Sequence, residues 1–446
     1  MNFLSNLKQL LNRRRLGSCR PLRFVSVLIA LVVSISIAIV PAVSQQPVTL
    51  RLLMTAPDVP AWKNTLAKDF EAANPDIRLD IVEGPNFTNL IEDLYTSAFL
   101  LGNAPYDIIY MDVIWTPKFA AAGWLEDLTA EFSEAELSAF SAPDVDGGRY
   151  NGRLYRIPIR SDAGMLYYRK DLLAEAGLNP PATFGDILDF SKIAQDKGLV
   201  QWGYLWQGRQ YEGASAMFVE VLKGFGGFWV DPDSLEVGLD QPEAIEAVEF
   251  LLGTIQEDVS PPGVTTYIEE DTRRIFQNGN ALFLRSWPYV WPLANQDDSN
   301  VKGKIAIMPL VGTPGHPGGS CLGGWGLGIA KTSTHKEEAL RLMRFITRPE
   351  IQKKYILEAG YVPSVRSLFT DPEVVAQYGH YPELLGVIDN AVLRPPIAQY
   401  AQASDILQRY LSAALTRQMT ASDAMTAAAA ETRRLLDAGQ NGRSPT

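Results

Sequence analysis

Apolar positions along the chain follow two alternating rhythms. Short β-rich runs at 48–53, 77–82 and 107–111 are separated by stretches in which apolar residues recur every three or four positions. The first such stretch begins at about Trp62 and sets Trp62, Leu66, Phe70 and Ala73 on one face with charges between them. Asn74 and Pro75 end it. Strand, helix and strand in this order predict a parallel sheet covered by helices.

A second set follows. Strand-like runs at 154–159 and 165–168 precede helical patterns at 183–197, 212–223 and 242–257, for which Thr183 suits an N-cap and Pro242 a first helical turn. A run at 281–284 reads as a strand, as do 305–309 and 325–330. An amphipathic helix after Thr334 carries Ala339, Leu342, Met343 and Ile346, and the C-terminal portion reads as all helical. There is no internal repeat and no Pro/Gly/Ser-rich linker; the stretch 312–319 reads as a long loop. If two lobes exist, the chain crosses between them more than once.

At 446 residues the chain exceeds the size at which one hydrophobic core stops growing, so two domains are expected. Segment 1–44 reads differently from the rest. Arg13, Arg14, Arg15, Arg20 and Arg23 precede an apolar run at 24–40, and Ala42, Val43 and Ser44 supply small residues for a signal peptidase. We read it as a cleaved secretory signal by the general export route, in preference to a retained anchor, because the run is short for a membrane span. Cys19 lies in that segment, so the mature chain keeps only Cys321 and forms no internal disulfide. No cysteine follows the apolar run, so a lipid anchor is not expected, and a soluble periplasmic product is implied. Removing Lys8 and the five arginines leaves 34 basic against 51 acidic residues, a formal charge of −17. That balance repels nucleic acid and anionic lipid.

The chain carries little that resembles catalytic machinery. His316, His335 and His380 lie far apart without HExxH spacing, each reading as a surface residue, so no metal is expected. Phosphate-loop, dinucleotide and nucleophile-elbow patterns are absent, so no cofactor is expected either. Asp231, Asp233 and Glu236 resemble part of a calcium loop that lacks its glycine and remaining ligands, and read as a solvated turn. What stands out is aromatic residues beside carboxylates or amides at the ends of strand-like runs: 111–115 (MDVIW), 206–212 (WQGRQYE), 286–291 (SWPYVW) and 324–325 (GW). Sugars need this pairing, since their hydroxyls call for charged or amide partners and their C–H faces lie flat on aromatic rings. The competing reading of each tryptophan is packing in a core or interface.

With these residues assembled, the chain resembles the extracellular solute-binding proteins of carbohydrate ABC importers, in particular the trehalose/maltose-binding branch. The resemblance spans nearly the whole mature chain and is carried by 106–115 (YDIIYMDVIW), 122–125 (AGWL), 157–172 (IPIRSDAGMLYYRKDL), 323–329 (GGWGLGI) and 360–364 (GYVPS), in that order. It implies an α/β fold of two lobes, the type II periplasmic-binding-protein arrangement, with the ligand cleft between lobes joined by hinge strands. The lobes so implied are 45–160 with 286–347, and 161–285 with 348–446. The resemblance further implies Asp58, Asp112 and Asp162 as hydroxyl-binding carboxylates, Trp287 and Trp325 as stacking platforms, and Gly324 as a backbone contact. Trp115, Arg160, Tyr211, Glu212 and Tyr400 follow from neighbouring segments. At 403–405 the chain has Ala-Ser-Asp where maltose binders place an aromatic, which argues against a maltodextrin-length ligand.

The function so implied is binding without turnover, by a monomer. The open protein captures a di- or oligosaccharide or glycoside of the trehalose, maltose, sucrose or glucosylglycerol class, the lobes close, and the closed form docks on the importer's transmembrane subunits, whose ATPase is a separate chain. Asp162, near the lobe crossover, would bind the sugar only once the cleft is shut. The alternatives are an exported glycoside hydrolase, since carboxylates among aromatics also describe such an active site, and a surface lectin without hinged closure.

Overall fold

The computed structural model describes residues 46–86, 88–102 and 105–441. Segment 1–44, read above as an export signal, lies outside them. Among the described residues no helix is long and apolar enough to cross a membrane.

Thirteen strands are described: β1 (Val48–Thr55), β2 (Ile77–Gly84), β3 (Ile108–Asp112), β4 (Arg149–Tyr150), β5 (Arg153–Leu154), β6 (Ile157–Arg160), β7 (Met165–Arg169), β8 (Trp202–Leu205), β9 (Ala281–Ser286), β10 (Ile305–Met308), β11 (Ser320–Cys321), β12 (Trp325–Ile329) and β13 (Ala391–Val392). One sheet has the order β2-β1-β3-β12-β6 and a second the order β10-β7-β9-β8. In the first, β1 pairs parallel with β2 and β3, while β12 runs antiparallel between β3 and β6. The β–helix–β rhythm that opens the described chain thus forms the parallel part of this sheet, and β12 returns from far along the chain to lie between β3 and β6.

Two hydrophobic clusters are described. Leu52, Phe70, Ile108, Phe119, Leu327 and Leu342 belong to one that covers the first sheet and continues onto one face of the second through Met165, Tyr167, Leu284 and Ile307; Phe184, Ile187, Phe218, Leu251, Phe283, Leu407 and Met425 form the other, around the second sheet. Local signals place several helices as expected. Helix Phe184–Asp196 opens with a capping box in which the Thr183 hydroxyl accepts from the Asp186 N–H and Asp186 accepts from the Thr183 N–H. Helix Pro242–Gln256 begins on its proline.

Three short segments carry the chain between the sheets and lie side by side. The Gly323 N–H donates to the Asp162 carbonyl at 2.8 Å, the Gly164 N–H to the Cys321 carbonyl at 3.0 Å, and the Leu322 N–H to the Val392 carbonyl at 2.8 Å. β11 and β13 pair within this ladder.

Several expectations are revised. β10, grouped with the first lobe from the sequence, is hydrogen-bonded to β7 in the second sheet. Helix Pro349–Ala359, grouped with the second lobe, packs against the segment Trp62–Leu66 that follows β1, whereas helix Tyr381–Asp389 packs against β10. Helical periodicity cannot say which sheet an apolar face covers. The C-terminal portion is not all helical, since β13 interrupts it. Ala73 is exposed at the end of its helix. His380 is buried, stacked on Trp291 with ring centroids 4.0 Å apart, whereas His316 is exposed and His335 half-buried. The segment at 231–236 is a turn in which an Asp231 oxygen accepts from the N–H groups of Asp233 and Ser234.

Candidate functional site

The carboxyl ends of β1, β3 and β6 meet at one edge of the first sheet, where open α/β sheets place their ligands. Because β12 is antiparallel to its neighbours, its first residue lies at the same edge: Trp325 pairs with Asp112 on one side and with Arg160 on the other. Facing them across the crossing segments is the end of β9, followed by Trp287. Between lies a cavity of about 710 Å³, walled among others by Asp58, Arg160, Asp162, Glu269, Trp287, Trp325 and Tyr361. That volume is in the range of small-molecule sites.

On the first-sheet wall, Asp58 is buried and heavily bonded. Its Oδ2 accepts from the Thr55 hydroxyl at 2.5 Å and the Tyr110 hydroxyl at 2.9 Å; its Oδ1 accepts from Arg160 Nη1 at 2.9 Å and from the Tyr361 hydroxyl. Burial alone would raise the Asp58 carboxyl, but the Arg160 guanidinium and the three hydroxyls outweigh it and hold the group below its ordinary range. Trp325 lies flat on Tyr110, centroids 4.6 Å apart and planes 14° apart, and meets Trp115 edge-on at 5.5 Å. Two aromatic neighbours thus fix its orientation.

The opposite wall is built around Trp287. Its ring sits on the Arg285 guanidinium, 4.4 Å from Cζ to centroid. Arg285 is fully buried and held by both oxygens of Glu220 and by Gln207. The indole N–H of Trp287 donates to Glu269 Oε1 at 3.3 Å, and the Tyr211 hydroxyl donates to Glu269 Oε2 at 2.7 Å. Gly323 packs beneath: a Cβ there would lie 3.0 Å from Trp287 Cζ3 and 3.2 Å from the Asp162 Cβ.

Asp162 stands where the chain leaves the first sheet. Its Oδ1 is buried with no hydrogen-bond partner, and its carboxyl is pushed up to about 7 by burial, against the pull of Arg160 and with the repulsion of Asp112.

Five of the residues singled out from the sequence therefore line one cavity: Asp58, Arg160, Asp162, Trp287 and Trp325. The other six do not line it. Trp115 is buried behind Trp325. Asp112 accepts from the Ile114 N–H and lies 3.7 Å from Arg394. Gly324 has φ +98°, and its carbonyl accepts from the Val113 N–H. Tyr211 stands behind Glu269. Glu212 accepts from Arg394 at 2.7 Å, from the Tyr400 hydroxyl and from the Ser404 hydroxyl at 2.6 Å, a buried network that also accounts for Tyr400. Sequence reasoning missed Glu269, Tyr361 and Arg394. Tyr361 lay within the GYVPS marker, but Glu269 and Arg394 had no aromatic beside them to draw notice.

Residues 56–353 match the family described as "Bacterial extracellular solute-binding protein". A "probable ABC transporter-binding protein" of Deinococcus radiodurans is 31% identical over 346 residues, covering 76% of this chain and 82% of that protein. A "maltotriose-binding protein" of Pyrococcus abyssi is 26% identical over 318 residues, 70% of this chain and 65% of that protein. Among solved structures, the maltose-bound MalE3 of T. maritima is 40% identical with a TM-score of 0.79, covering 87% of this chain and all of that one. A solute-binding protein of Thermotoga lettingae bound with α-D-tagatose is 25% identical at a TM-score of 0.76, again covering 87% of this chain and all of that one.

Proposed function

The chain belongs to the bacterial extracellular solute-binding proteins, here as the substrate-binding component of an ABC-type sugar importer, and from that premise we propose that it takes a di- or short oligosaccharide or a glycoside of the maltose, trehalose, sucrose or glucosylglycerol class. The observation that carries this reading is the cavity itself. Trp287 and Trp325 line it from opposite walls, Trp325 with Tyr110 on one face and the Arg160 guanidinium over its ring, and Asp162 and Glu269 line it with carboxyl groups. A polyhydroxylated ring with apolar C–H faces matches that alternation.

The rest of the reading follows. The two halves are lobes that close on the sugar about the three crossing segments, and the monomeric closed form delivers it to membrane subunits. The lobe division we propose follows the two sheets, 47–160 with 325–390 and 165–319 with 392–441. Support comes from the pairing of β10 with β7 and from the packing of helix Pro349–Ala359 against the segment Trp62–Leu66. The family works outside the cytoplasm, and segment 1–44 fits a cleavable export signal.

The test is a thermal-shift panel of the mature protein against maltose, trehalose, sucrose and glucosylglycerol, with the sugar recovered afterwards. A ligand that binds only the folded form raises the melting temperature, by several degrees at saturating concentration. A rise with intact sugar supports the receptor; released monosaccharide would instead make the protein a hydrolase.

A further inference from the structure

Two carboxylates face the cavity from opposite walls with different spare capacity. A carboxylate has about four lone-pair directions. All four of Asp58 are taken, by Thr55 and Tyr110 on one oxygen and by Arg160 and Tyr361 on the other. It has nothing left for a guest. Glu269 also lines the cavity, at the start of helix Glu269–Gln277, and receives one protein donor on each oxygen: the Trp287 indole at 3.3 Å and the Tyr211 hydroxyl at 2.7 Å. One acceptor direction remains on each oxygen, next to the N–H edge of the Trp287 indole.

We propose that Glu269 is the specificity-determining acceptor of the site, taking two neighbouring hydroxyls of the sugar ring that stacks on Trp287, and that Asp58 is a positioning residue which aims Arg160 and Tyr361. The inference rests on the sugar-receptor reading and assigns roles within it. The ligand class it selects is a pyranoside with a vicinal diol on the stacked ring, since two hydroxyls on adjacent carbons match two oxygens of one carboxylate. The Trp287 N–H is itself committed to Glu269, so the same carboxylate fixes the plane of the platform and the distance of the diol from it. Tyr211, outside the cavity, orients Glu269 from behind.

The experiment is calorimetric titration of the mature protein and its Glu269→Gln, Tyr211→Phe and Asp58→Asn variants with maltose, trehalose, sucrose and glucosylglycerol, and with monodeoxy analogues of whichever sugar binds. Hydrogen bonds to a charged group predict about a tenfold or greater loss of affinity for Glu269→Gln and a smaller loss for Tyr211→Phe, with melting temperatures near wild type. Asp58→Asn should lower the melting temperature, because it strips Arg160 of its partner. The decisive readout is the deoxy penalty: removing a hydroxyl that Glu269 accepts must weaken wild-type binding and cost little in Glu269→Gln, which a purely structural role would not produce. Wild-type affinity in Glu269→Gln, or one deoxy penalty in both proteins, overturns the assignment. A wild type that binds none of maltose, trehalose, sucrose and glucosylglycerol overturns the receptor reading instead.

Discussion

The indole of Trp287 rests on the guanidinium of Arg285, 4.4 Å from Cζ to ring centroid, and that guanidinium is closed off from water by a two-oxygen pairing with Glu220. Neither partner has any exposed side-chain surface. The platform on which a sugar would stack is therefore mounted on a buried ion pair, and its level is set by residues that no ligand touches.

Breaking that pair from one side should be costly. Glu220→Gln leaves Arg285 buried without its counter-charge, for which about 3–5 kcal/mol of stability is expected to be lost. Replacing both, Arg285→Met with Glu220→Leu, should restore much of that stability and still bind sugar poorly, because the support under Trp287 has gone. Denaturant melts with parallel titrations separate the two effects; a double variant that binds like wild type would show that the guanidinium does not hold the platform.

Gly323→Ala tests the same platform from below. The added methyl would meet Trp287 Cζ3 at 3.0 Å and the Asp162 Cβ at 3.2 Å, so the indole and the carboxylate must both yield by a few tenths of an ångström. Stability should fall by about 1–3 kcal/mol, as for a methylene forced into a packed site. Affinity should fall in parallel, and the tryptophan fluorescence response to sugar should change. An unaltered response would mean that Trp287 does not define the stacking plane.

The first-sheet half of the cavity was legible where its residues sit at strand ends: Arg160 closes a strand whose apolar run announces it, and Trp325 opens one. Sequence order cannot reveal the register, and it is the register that sets Arg160 beside Trp325 while Arg394 crosses from the hinge to Glu212. Tyr211 and Glu212 drew notice as an aromatic next to an acid near a strand end. In the fold a helix beginning at Glu212 turns that acid inward, toward Tyr400 and Ser404. Glu269 carried no such signal. It stands between Ile268 and Glu270 with no aromatic beside it, and only the fold brings it to Trp287.

Asp162 gives the free protein a pH dependence of known sign. Its folded carboxyl is raised to about 7, chiefly by burial, while in the unfolded chain it titrates near 3.8. Between these values the native state holds a proton that the unfolded state has released, so this group's contribution to stability falls as pH rises from about 4 to 7. Asp162→Asn should abolish that slope. Melting temperatures of the two proteins across the window decide it, and parallel curves would sink the assignment.

His380 should tilt the same curve the other way. Burial against Trp291 holds its imidazole down to about 3, and its Nδ1 has no hydrogen-bond partner. The unfolded histidine gains a proton near 6.5, so below that pH the unfolded state binds a proton that the native state refuses. The sign follows: a depressed base costs nothing at neutral pH and subtracts stability as pH falls from about 6.5 toward 3. At pH 4 the deficit is on the order of 3 kcal/mol. His380→Phe keeps a flat ring on Trp291 and cannot take up a proton in either state. Its melting temperature should accordingly match wild type near pH 7 and exceed it by several degrees near pH 4. If the two proteins melt together at pH 4, the imidazole is already protonated in the native state, and its stacking on Trp291 does not exclude the charge.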